Sequence, residues 1–190
     1  ICQANAPPFC MKWIWIRTGS NGTAQIHFMQ NGGAFAWLAI GTNTRVRVAA
    51  ASLRHVRVEI AQGSVRFKAA GGEECQAVIE AGKGGQGMTF IPSARILHLD
   101  TEFDVRVQDD GTVEVFSREG ALAVEYWDKD GKTQGEFVKS GTGLALKGDG
   151  TRPEKLKKPL AASSPGETES SGKAAGAAGE ADAPPPEPRE

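Results

Sequence analysis

The chain has 190 residues, with 22 Lys and Arg against 23 Asp and Glu and a formal net charge of −1. A nucleic-acid-binding surface normally needs an excess of basic residues to release counterions from phosphates, so this balance disfavours a nucleic-acid partner. No apolar run approaches the roughly 20 residues of a membrane-spanning helix. Because the chain begins with Ile1, we expect a signal peptide or anchor to be missing upstream.

Alternating apolar and polar residues predict strands along most of the chain. The predicted strands are 11–17, 23–29, 34–40, 44–49, 54–60, 64–69, 75–80, 94–99, 102–107, 112–117, 120–127 and 134–138. Gly, Asn and Asp between them accept the positive φ of tight turns. Strands at this spacing predict an all-β fold, a β-solenoid-like or jelly-roll-like domain with two layers.

Two passages, 58–67 and 113–124, share one pattern: a strand, a glycine and a second strand. The pattern predicts two copies of one hairpin, turning at Gly63 and Gly120. The alternation also predicts which side chains enter the core. These are Ala24, Ile26, Phe28, Val56, Val58, Ile60, Phe103, Val105, Val107, Leu122, Val124 and Tyr126.

The composition changes near residue 150. Pro, Ala, Gly, Ser and Glu dominate from there to the end, and Leu156 and Leu160 are the last large apolar residues. Such a stretch cannot bury enough surface to offset its ordering entropy. We therefore divide the chain into a truncated lead-in at 1–14, a β domain at 15–147 and a disordered tail at 148–190.

No arrangement of residues indicates a cofactor, a metal site or a catalytic centre. His27, His55 and His98 are scattered, and the three cysteines, Cys2, Cys10 and Cys75, lack the spacing of a zinc site. The cysteines are compatible with free thiols or with a disulfide. Residues 128–131 begin like a calcium loop but lack its later ligands, so they predict a hairpin turn. We expect a protein that is not an enzyme.

Tryptophans are the candidate recognition residues. Trp13, Trp15 and Trp37 could form a surface for a protein partner or a glycan, because indoles stack on sugar rings and anchor protein interfaces. A strand buried on both sides would explain Trp13 and Trp15 equally well. Sequence alone leaves both alternatives open.

Three stretches, 17–28, 99–105 and 119–124, occur in an order and at a spacing that resemble the FecR domain. This family is the extracytoplasmic β domain of ferric-citrate-regulator-like proteins, and the resemblance covers roughly residues 15–146. In family members a cytoplasmic segment binds a sigma factor, and the β domain receives a signal outside the cytoplasmic membrane. The resemblance therefore implies a periplasmic or extracellular location in the cell envelope.

The resulting hypothesis is a sensory or scaffold domain without enzymatic activity. It would bind a protein partner in the cell envelope, such as a membrane-anchored regulator, in signal transduction or sigma-factor regulation. Exposed strand edges or aromatic side chains would carry the binding. The alternative is a module of the cell envelope that binds glycan or peptidoglycan through its tryptophans.

Overall fold

The computed structural model describes residues 13–30, 33–52, 55–69, 76–84, 90–98, 101–158 and 160. Every regular element in these ranges is a strand, which confirms the predicted all-β fold. The strands are β1 (Trp13–Arg17), β2 (Ala24–Gln30), β3 (Gly33–Ile40), β4 (Arg45–Ser52), β5 (His55–Ala69), β6 (Gln76–Gly84), β7 (Phe90–His98), β8 (Glu102–Val107), β9 (Val113–Glu119), β10 (Leu122–Trp127), β11 (Thr133–Val138), β12 (Gly143–Leu146) and β13 (Glu154–Leu156).

All thirteen strands form one strongly curled sheet, a half-barrel with two limbs that share β5. The first limb has the order β1-β4-β5-β6-β7-β10-β11 and uses the amino-terminal half of β5. The second has the order β2-β3-β5-β8-β9-β12-β13 and uses its carboxy-terminal half. Only β5 and β6 pair in parallel among the pairs between described strands. The two predicted layers correspond to these limbs.

The predicted hairpin at 58–67 is wrong. This stretch lies inside the single 15-residue strand β5, which passes from one limb to the other through Gly63 at φ 85°. The inward positions change there from the even-numbered Val56, Val58 and Ile60 to the odd-numbered Val65 and Phe67. A glycine with positive φ suits a hairpin turn and a strand bend equally, so the local pattern could not separate them.

The predicted hairpin at 113–124 is also wrong, for a related reason. Strand β9 pairs with β8 and β12 in the second limb, whereas β10 pairs with β7 and β11 in the first. Gly120, at φ 73°, lies where the chain crosses between the limbs. The two passages therefore look alike because in each of them the chain passes from one limb to the other at a glycine.

The two limbs enclose one aliphatic core. Of the residues predicted to face it, Ala24, Ile26 and Tyr126 pack against it partly buried, and the other nine are buried. Phe67 and Phe103, on neighbouring strands, lie with ring centroids 5.5 Å apart. Burying a side chain of this size stabilises the fold by about 1.5–3 kcal/mol. Because the core takes buried side chains from both limbs, it holds the two limbs together.

The folded sheet continues beyond the predicted domain boundary at residue 147. Strand β13 pairs with β12, placing Leu156 opposite Gly143, and Leu160 is buried. The two leucines noted in the polar tail thus belong to the sheet and to its margin. Residues 161–190, which complete the predicted disordered tail, lie outside the described residues.

Candidate functional site

Four strands end the two limbs: β1 and β11 in the first, and β2 and β13 in the second. On the outer side of each, no further strand is paired within the described ranges. The backbone N–H and C=O groups on that side can bond to an added strand, which makes such edges natural sites for binding an extended segment.

The exposed large apolar side chains of the described residues all lie on these edge strands. Ile14 and Met29 are each 59% exposed, Trp15 is 51% exposed and Phe137 is 81% exposed. A single exposed apolar residue is ordinary. These four, however, lie only on β1, β2 and β11, which are strands whose outer backbone groups pair with no further described strand. Apolar side chains and free backbone groups together form the elements of a strand-binding surface.

The carboxy-terminal edge includes a groove of about 350 Å³ between β11 and the hairpin of β12 and β13. Phe137 and Leu156 supply apolar surface, and Lys139, Lys155 and Lys157 line the groove with positive charge. Glu136 is the one acidic residue among its described lining residues. The groove therefore suits an extended segment with apolar and acidic side chains.

The outer surface of the first limb is a chain of ion pairs across neighbouring strands. Glu80 lies between Arg57, 2.5 Å away, and Arg95, 3.2 Å away. Arg47 pairs with Glu59, and Arg95 also approaches Glu125 at 3.5 Å. Each buried carboxylate on this surface is thus paired with arginine. We interpret these ion pairs as contacts that stabilise the sheet.

Trp15 and Trp37 lie on the outer surfaces of different limbs. Trp15 stands opposite Arg47, whose guanidinium lies 5.4 Å from the ring centroid. Trp37 stands opposite Lys68, whose ammonium lies 5.7 Å from the ring. The structure therefore does not join them in one recognition surface. Trp13 lies on β1, and its side chain is outside the described atoms.

Lys68 is fixed between Trp37 and a carboxylate. Its ammonium lies 2.8 Å from Glu102 on the neighbouring strand, and the hydrogen bond and charge of Glu102 raise the pKa of Lys68. The cation above Trp37 is thus held in place and positively charged at neutral pH. It occupies space that a sugar ring would need for stacking on this part of the indole.

The turn at Asp128 is a hairpin, as predicted. The carboxylate oxygen Oδ1 accepts hydrogen bonds from the amides of Asp130 at 3.0 Å and Lys132 at 2.9 Å. Gln134 donates a third bond to Oδ2 at 2.9 Å. These bonds, the one from Gln134 foremost, lower the pKa of the Asp128 carboxyl. The acid closes the turn between β10 and β11.

Few of the other candidate chemical groups are among the described atoms. His27 is exposed on β2. The side chains of His55 on β5 and His98 on β7 are outside the described atoms, and all three cysteines lie outside the described residues. Within the part of the chain that is described, no cluster of three or more His, Cys, Asp or Glu could hold a metal ion. The same part contains no helix that is long and apolar enough to cross a membrane.

Sequence reasoning did not identify Phe137, Ile14 or Met29. The sequence does carry a signal for Phe137, because alternation along the strand places it on the face opposite Val138. The structure shows Val138 buried and Phe137 exposed. What the sequence did not show is that β11 ends the limb. On a central strand, the side chains of both neighbouring strands would flank an outward phenylalanine, and no partner strand could be added beside it. Whether Phe137 can contact an added strand therefore depends on the strand order.

Over the described residues, the geometry defines an all-β domain whose curled sheet presents edges that are partly apolar and pair with no further described strand. No protein-family profile matches this chain, and no curated protein matches it by sequence. Among solved structures, it is similar to two crystal structures described as a "putative anti-sigma factor" from Parabacteroides distasonis ATCC 8503. Both have a TM-score of 0.58 at 13% sequence identity, and the alignments cover 78% and 77% of this chain. The alignments cover only 61% and 60% of those two structures. At this sequence identity, what the proteins are shown to share is the fold.

Proposed function

We propose that this chain is a FecR-type extracytoplasmic domain, sensory or scaffolding rather than enzymatic, that binds a protein partner through its sheet edges. The proposed setting is envelope signal transduction, with sigma-factor regulation as the particular pathway. The observation that carries this proposal is the coincidence of edge strands with the exposed apolar side chains Ile14, Trp15, Met29 and Phe137.

The preferred binding edge is β11. A partner strand added beside it would form backbone hydrogen bonds on the side away from β10, and Phe137 would give it an apolar contact. The neighbouring groove would take its alternate side chains, with Lys139 and Lys155 favouring acidic ones. Backbone pairing would supply affinity, and the groove would supply selectivity.

Two observations support the regulatory setting. The stretches 17–28, 99–105 and 119–124 resemble the FecR domain, and the fold is similar to structures described as a "putative anti-sigma factor". In such regulators a β domain outside the membrane would sense a partner, and a separate segment would act on the sigma factor. Location in the periplasm or on the cell surface is part of the same proposal.

Site-specific photo-crosslinking in envelope extracts tests the binding edge. A photoreactive phenylalanine analogue at position 137 is expected to trap one partner reproducibly, while the same analogue at the exposed Glu119 of the central strand β9 is not. Competition by unlabelled chain should remove the product. If both positions trap the same proteins, or neither traps any, the edge-binding proposal fails.

The sigma-factor part needs a separate test. In the source cell, replacing Phe137 by Glu in the full-length protein should alter transcription of one coherent set of genes, because it places a charge on the binding edge. Replacing exposed Lys132 by Gln should leave that set unchanged. Normal transcription in a Phe137→Glu strain whose protein no longer co-purifies with the crosslinked partner would retain the binding proposal and reject the signalling one.

Glycan binding remains the second candidate, now resting on Trp15. Its indole is half exposed on the edge strand β1, where a sugar ring could approach it from the side away from β4. Trp37 contributes little to this candidate, because it belongs to the other limb.

A further inference from the structure

The groove between β11 and β13 carries an excess of positive charge. Its three lysines, Lys139, Lys155 and Lys157, are exposed, and none of their ammonium groups is paired with a described residue. Glu136 is the one carboxylate among the described lining residues. The acid of β13, Glu154, lies 2.7 Å from Lys147 and does not line the groove. The groove therefore offers free cations to an acidic segment.

The described part of the sheet ends beside this groove. Lys157 follows β13 directly and lines the groove, and Leu160 is buried. The three residues from Lys157 to Leu160 span at most about 11 Å even when fully extended. Residues 161–190 therefore continue the chain from a point close to the lysines.

The charge of the chain divides at this point. Residues 161–190 contain six acidic and two basic side chains, a formal charge of −4, whereas residues 1–160 contain 20 basic and 17 acidic ones, a formal charge of +3. A division at residue 150 conceals this asymmetry, because the basic residues around β13 then count with the tail. Opposite charges on the two parts favour contact between them.

The first acidic pair after the sheet has a spacing that suits the groove. Glu167 and Glu169 are two residues apart, so both would lie on the same side of an extended segment. Glu167 follows Leu160 by seven residues, which an extended chain spans in at most about 25 Å. Pro165 and Gly166, just before the pair, are typical of a tight turn, which would direct the chain back toward the sheet.

We propose that residues 161–170 of the same chain occupy this groove, with Glu167 and Glu169 against Lys139 and Lys155. Each contact is an exposed ion pair and contributes little by itself. A tethered segment needs little affinity, however, because a short linker gives it an effective concentration on the order of millimolar at the groove.

This segment would be a displaceable cover of the groove. Residues 161–170 contain no large apolar side chain, so they match the charge of the groove without filling its apolar wall at Phe137 and Leu156. A partner segment with both acidic and apolar side chains would bind more tightly and displace them. That consequence rests on the proposed function, whereas occupancy of the groove by residues 161–170 does not.

Carbodiimide crosslinking of the purified whole chain, followed by peptide mass spectrometry, tests the occupancy. The reagent joins a carboxylate directly to an amine that contacts it. We expect Glu167 or Glu169 to become linked to Lys139, which follows β11, and not to Lys132, which precedes it. Lys139 is the informative amine, because Lys157 is close to the segment in sequence alone. High salt should remove the link, since it screens exposed charges.

Three outcomes would overturn the occupancy: no link to Lys139, equal linking to Lys132, or a link found only between two chains. A link only between chains would mean that a second copy supplies the segment.

Photo-crosslinking from position 137 tests the competition with a partner. Replacing both Glu167 and Glu169 by Gln in the whole chain should raise the yield of partner product about threefold or more, because it releases the groove. Replacing Glu180 by Gln and Asp182 by Asn removes the same charge at the same spacing farther along the chain, and should leave the yield unchanged.

The two measurements fail independently. If the link to Lys139 forms but no variant yields a partner product, the proposed function is rejected and the groove occupancy stands. If the partner product forms but no link to Lys139 does, the occupancy is rejected and the proposed function stands. Equal yields from the two double variants would reject the competition.

Discussion

Thr44 holds Ser64 through a single hydroxyl group: its Oγ1 accepts from the Ser64 amide at 3.0 Å, and its one hydrogen lies within reach of the Thr42 carbonyl at 3.0 Å and the Ser64 carbonyl at 3.2 Å. Thr44 begins the passage into β4, and Ser64 lies just past the bend of β5. This contact therefore fixes the point at which β5 changes limb.

Replacing Thr44 by Val should destabilise the fold by about 1–3 kcal/mol, because it leaves the Ser64 amide without its partner. Thr101→Val is the matched control. Thr101 is 3% exposed, and its hydroxyl has no hydrogen-bond partner among the described residues, so its removal should be neutral or stabilising. Chemical denaturation of both variants measures the difference. Equal losses of stability would contradict the role given to Thr44.

Gly63→Ala should be among the most damaging single changes in the sheet. An added Cβ would lie 2.6 Å from Thr44 Cα and 2.8 Å from the Asn43 carbonyl, on a residue that also needs positive φ. We expect a loss of more than about 3 kcal/mol, or failure to fold. Gly131→Ala shares the positive φ but has open space, and should cost about 1–2 kcal/mol. Similar melting temperatures for the two variants would refute the close-packing argument.

Glu80→Gln should weaken the first limb by about 1–3 kcal/mol, since it leaves Arg57 and Arg95 without the carboxylate between them. The expected loss of stability is smaller than for a fully buried ion pair, because both arginines are 40% exposed. Glu154→Gln is the control. Its pair with Lys147 is exposed on both sides, so the change should leave the free energy of unfolding indistinguishable from that of the wild type. Urea denaturation distinguishes the two.

The turn at Asp128 predicts a pH dependence. Its hydrogen bonds lower the pKa of the folded carboxyl, so the stabilisation is present above the ordinary aspartate pKa and is lost as pH falls through the lower folded value. Asp128→Asn should therefore lower the melting temperature most at neutral pH, with the difference from wild type narrowing toward pH 3. Asp130→Asn, which removes a charge from the same turn, is the control. A difference that is constant with pH would rule out this account.

Tryptophan fluorescence distinguishes the two proposed functions. Under the protein-partner proposal, titration with soluble peptidoglycan fragments should leave the spectrum unchanged. Quenching that saturates in the wild type and in Trp37→Phe, but is absent in Trp15→Phe, would instead favour the glycan alternative. The comparison is informative because the two indoles lie on different limbs.

Local patterns predicted much of the fold because each strand alternates between inside and outside. The positions of Val58, Phe103 and Leu122 follow from that alternation, whichever strand lies beside them. The short strands β12 and β13 escaped prediction, because four and three residues give too few alternations to recognise. Of the tryptophans predicted to form a recognition surface, Trp15 is exposed on an edge strand and Trp37 lies on another limb, and their role in recognition stays a prediction.

By itself, the sequence determined the all-β class, the inward side chains and local turns such as the one at Asp128, because these depend on residues a few positions apart. The tertiary structure alone decided that β5 bends into a second limb and that β9 and β10 separate. It also decided that Phe137 lies on an edge and that Arg17 stands opposite Arg45. Strand order depends on long-range backbone pairing and on the shared core. No local pattern records which strands become neighbours or which are left with an open side.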